Sequence, residues 1–368
     1  MNTRLEIGRG LAALWVFTFH VQSMIATACP SLALLAAKGF LGVPIFFVIS
    51  GYAISASAER EIRLGGNWRI FMRRRLLRIY PPFWGAVVVA ISVPFVIEIV
   101  SALKSGIYLP PEPRWLEFGG SEWLQVLTLT RIFFSENGDL QAAFSPVNAV
   151  FWTLGIEVQF YIVMAAAVAS GKHWRMVLRA VTVISMVALF IHFFQISGLF
   201  LVYWPVFMLG VILRRLQELD MTPRSLFKQY APVISGSMIA GIVMGSLFMM
   251  NVVRIGAEEL SLLSGSIEFL TAGLATAFAL WFSIAFQAAE KKHRLLLKPL
   301  TMLGASSYSL YLIHGRVYPL AEMFVRQISK PNSVLYPVLT ISGTIVVAYV
   351  FYTLVERPFM SVRNRSRL

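Results

Sequence analysis

Arg9 and His20 stand eleven residues apart in the stretch RGLAALWVFTFH (9–20), which is otherwise largely apolar. On a helix that spacing comes close to three full turns, with a rise of about 16 Å, so both side chains line one face. The cation and the imidazole are too far apart to pair directly. A neutral imidazole has one donor and one acceptor, which suits a bond to a neighbouring helix or proton transfer at a reacting hydroxyl. An ionisable side chain inside a membrane helix is costly to keep there, and this makes His20 a functional candidate.

Four further stretches carry polar chemistry. FMRRRLLRIYPPFW (71–84) brings Arg73, Arg74, Arg75 and Arg78 up to a Pro81-Pro82 helix start. Arg74, Arg75 and Arg78 share a face by helical spacing, and guanidinium forks match phosphate oxygens, so the cluster reads as a cradle for a phosphorylated cofactor approaching from the cytoplasm. A bare orientation signal is the plainer alternative. FWTLGIEVQFY (151–161) puts Glu157 inside an apolar segment, where a carboxylate must be paired, protonated or facing water. It can hold a histidine's tautomer or make a helix-packing bond. In SSYSLYLIH (306–314), Ser307, Tyr311 and His314 fall on one helical stripe with Tyr308 beside it, as site groups or as interhelical glue. GVPIFFVISGYAIS (42–55) contributes Ser50 and Gly51, small residues suited to close helix contact; Ser50 would serve as an acyl-carrying nucleophile only beside a base. The five histidines have no H-x-x-x-H spacing and no cysteine cluster, so no metal is expected, and there is no phosphate-binding G-x-x-x-x-G-K-[ST] loop.

The elements that must position these groups are membrane helices. Hydrophobic residues make up 57% of the chain and charged residues 14%, beyond the apolar share of about 45–50% usual in soluble domains. Long apolar runs such as GAVVVAISVPFVIEIV and GTIVVAYVFYTLV approach the length that crosses a bilayer as helix. The predicted fold class is all-α, a polytopic transmembrane helical bundle of about ten spans near 10–29, 39–58, 80–101, 148–169, 177–196, 198–213, 231–250, 263–287, 300–320 and 334–355. Residues 1–368 read as a single membrane-embedded domain with one long extracytoplasmic loop, 102–147.

Charge sets the orientation. Of 32 Lys and Arg residues, 24 fall on the segments 1–9, 59–79, 170–179, 214–230, 288–299 and 356–368, which places both termini in the cytoplasm by the positive-inside rule. The net charge of +14 then belongs to loops facing an anionic leaflet, and no nucleic-acid partner is expected. The first apolar run is too long for a cleaved signal peptide, whose apolar core spans about 7–15 residues. The single cysteine, Cys29, rules out an intramolecular disulfide within this sequence.

Taken in order, Arg-x10-His (9–20), FFVISG (46–51), RRRLLRIYPPFW (73–84), WTLGIEVQFY (152–161), SYSLYLIH (307–314) and VERPF (355–359) resemble the acyltransferase-3 family of integral-membrane acyltransferases over nearly the whole chain. The resemblance implies an O-acetyltransferase of the cytoplasmic membrane. It would move an acyl group, usually acetyl from acetyl-CoA, to a hydroxyl of an extracytoplasmic glycan or lipid-linked sugar. Acyl-CoA, the glycan acceptor and membrane lipids are the implied partners. In such a reaction His20 is the expected base, Tyr311 or His314 the donor to the oxyanion, and Glu157 the group orienting an imidazole; Arg9, Arg73, Arg74, Arg75 and Arg78 would hold the CoA. Pro44-Ile45 stands where the family often has Asp-Leu, and Thr153 and Gly155 replace serines common before the glutamate. No appended esterase-like domain is recognisable. The rival reading is a transporter or flippase of a lipid-linked sugar or organic anion, in which the same groups bind and relay protons; the lack of a clear inverted repeat counts against it.

Overall fold

The computed structural model describes residues 3–135, 139–190, 198–219, 221, 269–281 and 298–360. Among these residues every regular element is helical. The principal helices are α1 (Thr3–His20), α2 (Gln22–Ala28), α3 (Gly42–Arg63), α4 (Trp68–Ser105), α5 (Trp152–Ala169), α6 (Trp174–Phe190), α7 (Trp204–Glu218), α8 (Ser307–Val325) and α9 (Leu335–Phe351). Among the described residues four helical stretches are long and apolar enough to cross a membrane: Pro30–Arg63, Trp68–Ser105, Ala149–Ala169 and Leu335–Phe359. The pair α1 and α2 makes a fifth if counted as one span. The expected spans at 231–250 and over much of 263–287 lie outside the described residues.

Two expectations about the first spans need correction. The stretch 10–29 is not one straight helix, because α1 ends at His20 and the chain turns by 77° into α2. Thr18 Oγ1 donates to Trp15 O at 2.7 Å one turn before the break, a back-bond of the kind that bends helices. His20 therefore sits at a corner, its ring centroid 5.0 Å from that of His314. The second correction concerns 59–79, expected as a cytoplasmic connection ahead of a helix starting at Pro81-Pro82. Helix α4 instead begins at Trp68, with the Asn67 side chain accepting Arg69 N–H at 2.8 Å, and it runs through both prolines. Its 38 residues extend about 57 Å, well beyond a hydrocarbon core of about 30 Å. The arginines thus ride on a helical extension. Pro81 and Pro82 have no N–H, which frees the carbonyls of Leu77 and Arg78 beside that charge.

Close crossings hold the helices in place. A Cβ on Gly210 of α7 would stand 1.9 Å from Val48 O, and one on Gly51 of α3 would stand 2.0 Å from Phe207 O. Only glycine permits this approach, the small-residue contact expected at Gly51. The neighbouring Ser50 is fixed by it.

In its described residues the long segment 102–147 is folded and anchored. It contains the helices Gly120–Leu127 and Leu140–Phe144. Arg131 lies over the Phe118 ring at 4.4 Å and donates through Nε to Ala143 O at 2.7 Å. Arg316 of α8 reaches Ser145 O at 2.8 Å and Pro146 O at 3.0 Å, and the buried Asn148 donates to Leu312 O at 2.8 Å. These bonds tie the 102–147 segment to the helix that carries Tyr311 and His314.

Candidate active site

Two chambers lie end to end between α1, α3, α5 and α8. The first holds about 290 Å³ and is walled by His20, Phe19, Phe40, Trp152, Tyr203 and Tyr311, with Asp139 and Gln141 lining it from the 102–147 segment. The second holds about 30 Å³ and is lined by Arg9, Ser50, Arg75, Arg78, Glu157 and the tyrosines 161 and 308. Each of the four helices serves both. Helix α1 gives Arg9 to one and His20 to the other, α3 gives Ser50 and Val43, the α5 segment Glu157 and Trp152, and α8 Tyr308 and Tyr311. The small chamber is at the end of α4 that carries the basic extension, and the large one faces the 102–147 segment.

The small chamber is a mixed-charge cluster. Glu157 Oε1 accepts Tyr161 Oη at 2.9 Å and Ser50 Oγ at 3.3 Å. Arg75 packs over the rings of Phe71 and Tyr161 at 5.5 and 6.0 Å. Tyr308 Oη donates to Ile79 O at 3.0 Å, pinning α8 to α4 just before its prolines. Arg9 lies within electrostatic reach of both Glu157 and Glu356, and Arg78 of Glu356. Glu356 is buried at the end of a π-type turn, Tyr352–Glu356, and its Oε2 accepts the Ser309 hydroxyl at 2.6 Å and the Ser309 N–H at 3.2 Å. That N–H belongs to the first turn of α8, so Glu356 caps the helix that carries the tyrosines.

The large chamber is aromatic and mostly apolar, with His20 at the α1 corner. Trp152 and Tyr203 have ring centroids 5.5 Å apart, and Phe46 meets Tyr311 edge to face at 5.4 Å. Tyr311 Oη lies 2.8 Å from Thr153 Oγ1 and donates to Val150 O at 3.1 Å. Thr153 thus brings a hydroxyl to Tyr311. His314 is fully buried beside this chamber, its ring centroid 5.0 Å from that of His20 and 5.3 Å from that of Phe17.

The predicted residues divide between the chambers. Arg9, Arg75 and Arg78 converge on the small one. Arg73 is exposed, and Arg74, with 69% of its side chain exposed, pairs with Glu61 at 3.0 Å, so neither lines the small chamber. Glu157 sits among the arginines and accepts from Ser50 and Tyr161 rather than from an imidazole; the residue α5 presents towards His20 is Trp152, about 7.5 Å along the helix. Tyr311 faces the His20 chamber as expected. His314 does not line it, and its Nδ1 is held by the carbonyls of Leu310 and Tyr311 at 3.0 and 2.9 Å, so the neutral ring has no proton left for an oxyanion. Glu356 went unassigned within VERPF, and Tyr161 was missed although it stands four residues after Glu157, on the same helical face.

Known proteins bear on this arrangement. The acyltransferase domain model of the acyltransferase-3 family matches residues 2–353. The chain is 26% identical over 369 residues to the O-acetyltransferase OatA of Staphylococcus aureus, covering 95% of this chain and 56% of that protein. It is 24% identical over 371 residues to the peptidoglycan O-acetyltransferase OatA of Listeria monocytogenes, covering 95% and 54%. The chain thus spans about half the length of the curated relatives it matches. No solved structure matches it. With a family model spanning both chambers and the helices that build them, this chain belongs to the acyltransferase-3 family of membrane-embedded acyltransferases.

Proposed function

We propose that the protein is a multi-pass O-acetyltransferase of a bacterial cytoplasmic membrane, with about ten spans and both termini inside. On this reading it takes an acetyl group from acetyl-CoA at the cytoplasmic face and delivers it to a hydroxyl of an extracytoplasmic glycan or lipid-linked sugar. The observation that carries the reading is the pairing of chambers along one seam, guanidinium groups at one end and an imidazole among aromatic walls at the other. The relatives named as O-acetyltransferases, one of them acting on peptidoglycan, support the acceptor class.

Arg9, Arg75 and Arg78 offer forked donors to the phosphates of CoA, with Glu157 and Glu356 holding that charge in place. The small chamber has room for water only, so the arginine side chains must part as the nucleotide docks. The pantetheine arm then runs along the seam toward His20. There the acceptor oxygen attacks the thioester carbon while His20 takes the hydroxyl proton. The C–O bond forms, the C–S bond breaks, and the imidazolium returns the proton to the departing sulfur. Sugar rings present C–H faces that suit the walls formed by Phe19, Phe40, Trp152 and Tyr203. The test is whether the purified chain in lipid releases CoA from labelled acetyl-CoA and labels an added cell-wall glycan. Transport of a lipid-linked sugar with no CoA release would overturn the reading.

A further inference from the structure

The two ring nitrogens of His314 have unlike surroundings. Nδ1 lies 3.0 Å from Leu310 O and 2.9 Å from Tyr311 O. Both oxygens can only accept, so Nδ1 carries the proton of the neutral ring and Nε2 carries the lone pair. That Nε2 is buried and has no hydrogen-bond partner among the described residues, a rare state for a buried acceptor. Three rings surround it. Phe17 has no polar hydrogen, and the Tyr311 hydroxyl is already engaged with Val150 and Thr153. The remaining ring is His20, with its centroid 5.0 Å away and its plane inclined by 54°.

We propose that His314 is a positioning residue whose Nε2 accepts the N–H of His20 and thereby fixes the tautomer of His20. The opposite His20 nitrogen is left bare and directed at the large chamber, where it takes the acceptor's proton. His20 is the last residue of α1, and closing this bond takes a reorientation of its ring; such contacts tighten in the loaded site. During transfer the bond also steadies the imidazolium until the proton passes to sulfur. His314 thus fills the orienting role that the sequence offered to Glu157, through a pair of histidines on two helices. The proposal rests on His20 as the base, but its first readout does not depend on turnover.

That readout is the 15N spectrum of the full chain in lipid, labelled only at histidine, with His20 assigned by its loss in His20→Asn. In the parent, His20 should show one protonated and one bare nitrogen, and His314 a bare, hydrogen-bonded Nε2. In His314→Leu the His20 nitrogens should average between tautomers, and kcat should fall about 10–100-fold with KM for acetyl-CoA unchanged. In His314→Gln, whose carbonyl can accept from the same place, the single tautomer and most of the rate should return. Mixed His20 tautomers in the parent would overturn the proposal even if no variant folded. So would a His314→Leu variant that keeps the parental tautomer. Failure of the base reading looks different: His20→Ala would stay active while the tautomer result stood.

Discussion

The two chambers share four helices yet are opposites in character, the small one taking Arg75 and Arg78 from α4 besides. One is about 30 Å³ of guanidinium, carboxylate and phenol; the other is about 290 Å³ of aromatic wall with a single imidazole facing it. The difference shows how one bundle can separate two tasks. Charge is concentrated where a charged group must be held, and neutralising partners keep it tolerable in a membrane protein. The far end is mostly aromatic, with the Asp139 carboxylate at its wall. Moving from one chamber to the other costs each helix only a few turns, from Arg9 to His20 or from Ser50 to Val43.

If the division is correct, substitutions at the two ends should fail in different ways. His20→Ala should give the largest loss, about 10²–10⁴-fold in kcat, with KM for acetyl-CoA unchanged. A variant that keeps most of its rate would remove the large chamber's assigned chemistry. Next come Arg75→Ala and Arg78→Ala. Each deletes a charged partner worth about 1.5–3 kcal/mol, so the KM for acetyl-CoA should rise about 10–100-fold. Loss of rate at unchanged donor affinity would mean that the small chamber does something other than hold CoA. A smaller effect is expected at a helix crossing than at a chamber wall. Gly210→Ala forces a methyl group to within 1.9 Å of Val48 O and should destabilise the fold by about 1–3 kcal/mol, read as a lower melting temperature in detergent. The smallest effect belongs to Arg74→Ala. It breaks a pair with Glu61 in which the Arg74 side chain is 69% exposed, and should leave the donor KM where it was.

That last contrast shows how far the sequence reaches. Helical spacing correctly groups Arg75 with Arg78 and Arg9 with His20, because those pairs depend only on the local repeat. It also groups Arg74 with them, since Arg78 lies between the two azimuths. What separates Arg74 is Glu61, a residue on another helix, and no local period reports that. Glu157 was legible as an intramembrane carboxylate in need of a partner, but the choice among hydroxyl, phenol and imidazole depends on which helices pack against α5. Glu356 stood in view within VERPF, although its role as the cap of α8 appears only when Ser309, 47 residues away, is brought beside it. The 77° turn after His20 is hidden for a similar reason: the residues on either side are equally apolar, and hydropathy cannot distinguish a bent pair from a straight span.

The central claim is that donor and acceptor come to one seam from opposite faces of the membrane. It is tested most directly in proteoliposomes of known orientation, with acetyl-CoA and a glycan acceptor each confined to one side. Acetylated product is expected only when acetyl-CoA is on the side of the α4 extension and the glycan on the side of the 102–147 segment. Product formed with both substrates confined to the arginine side would contradict the account and leave an ordinary transferase of the cytoplasmic face.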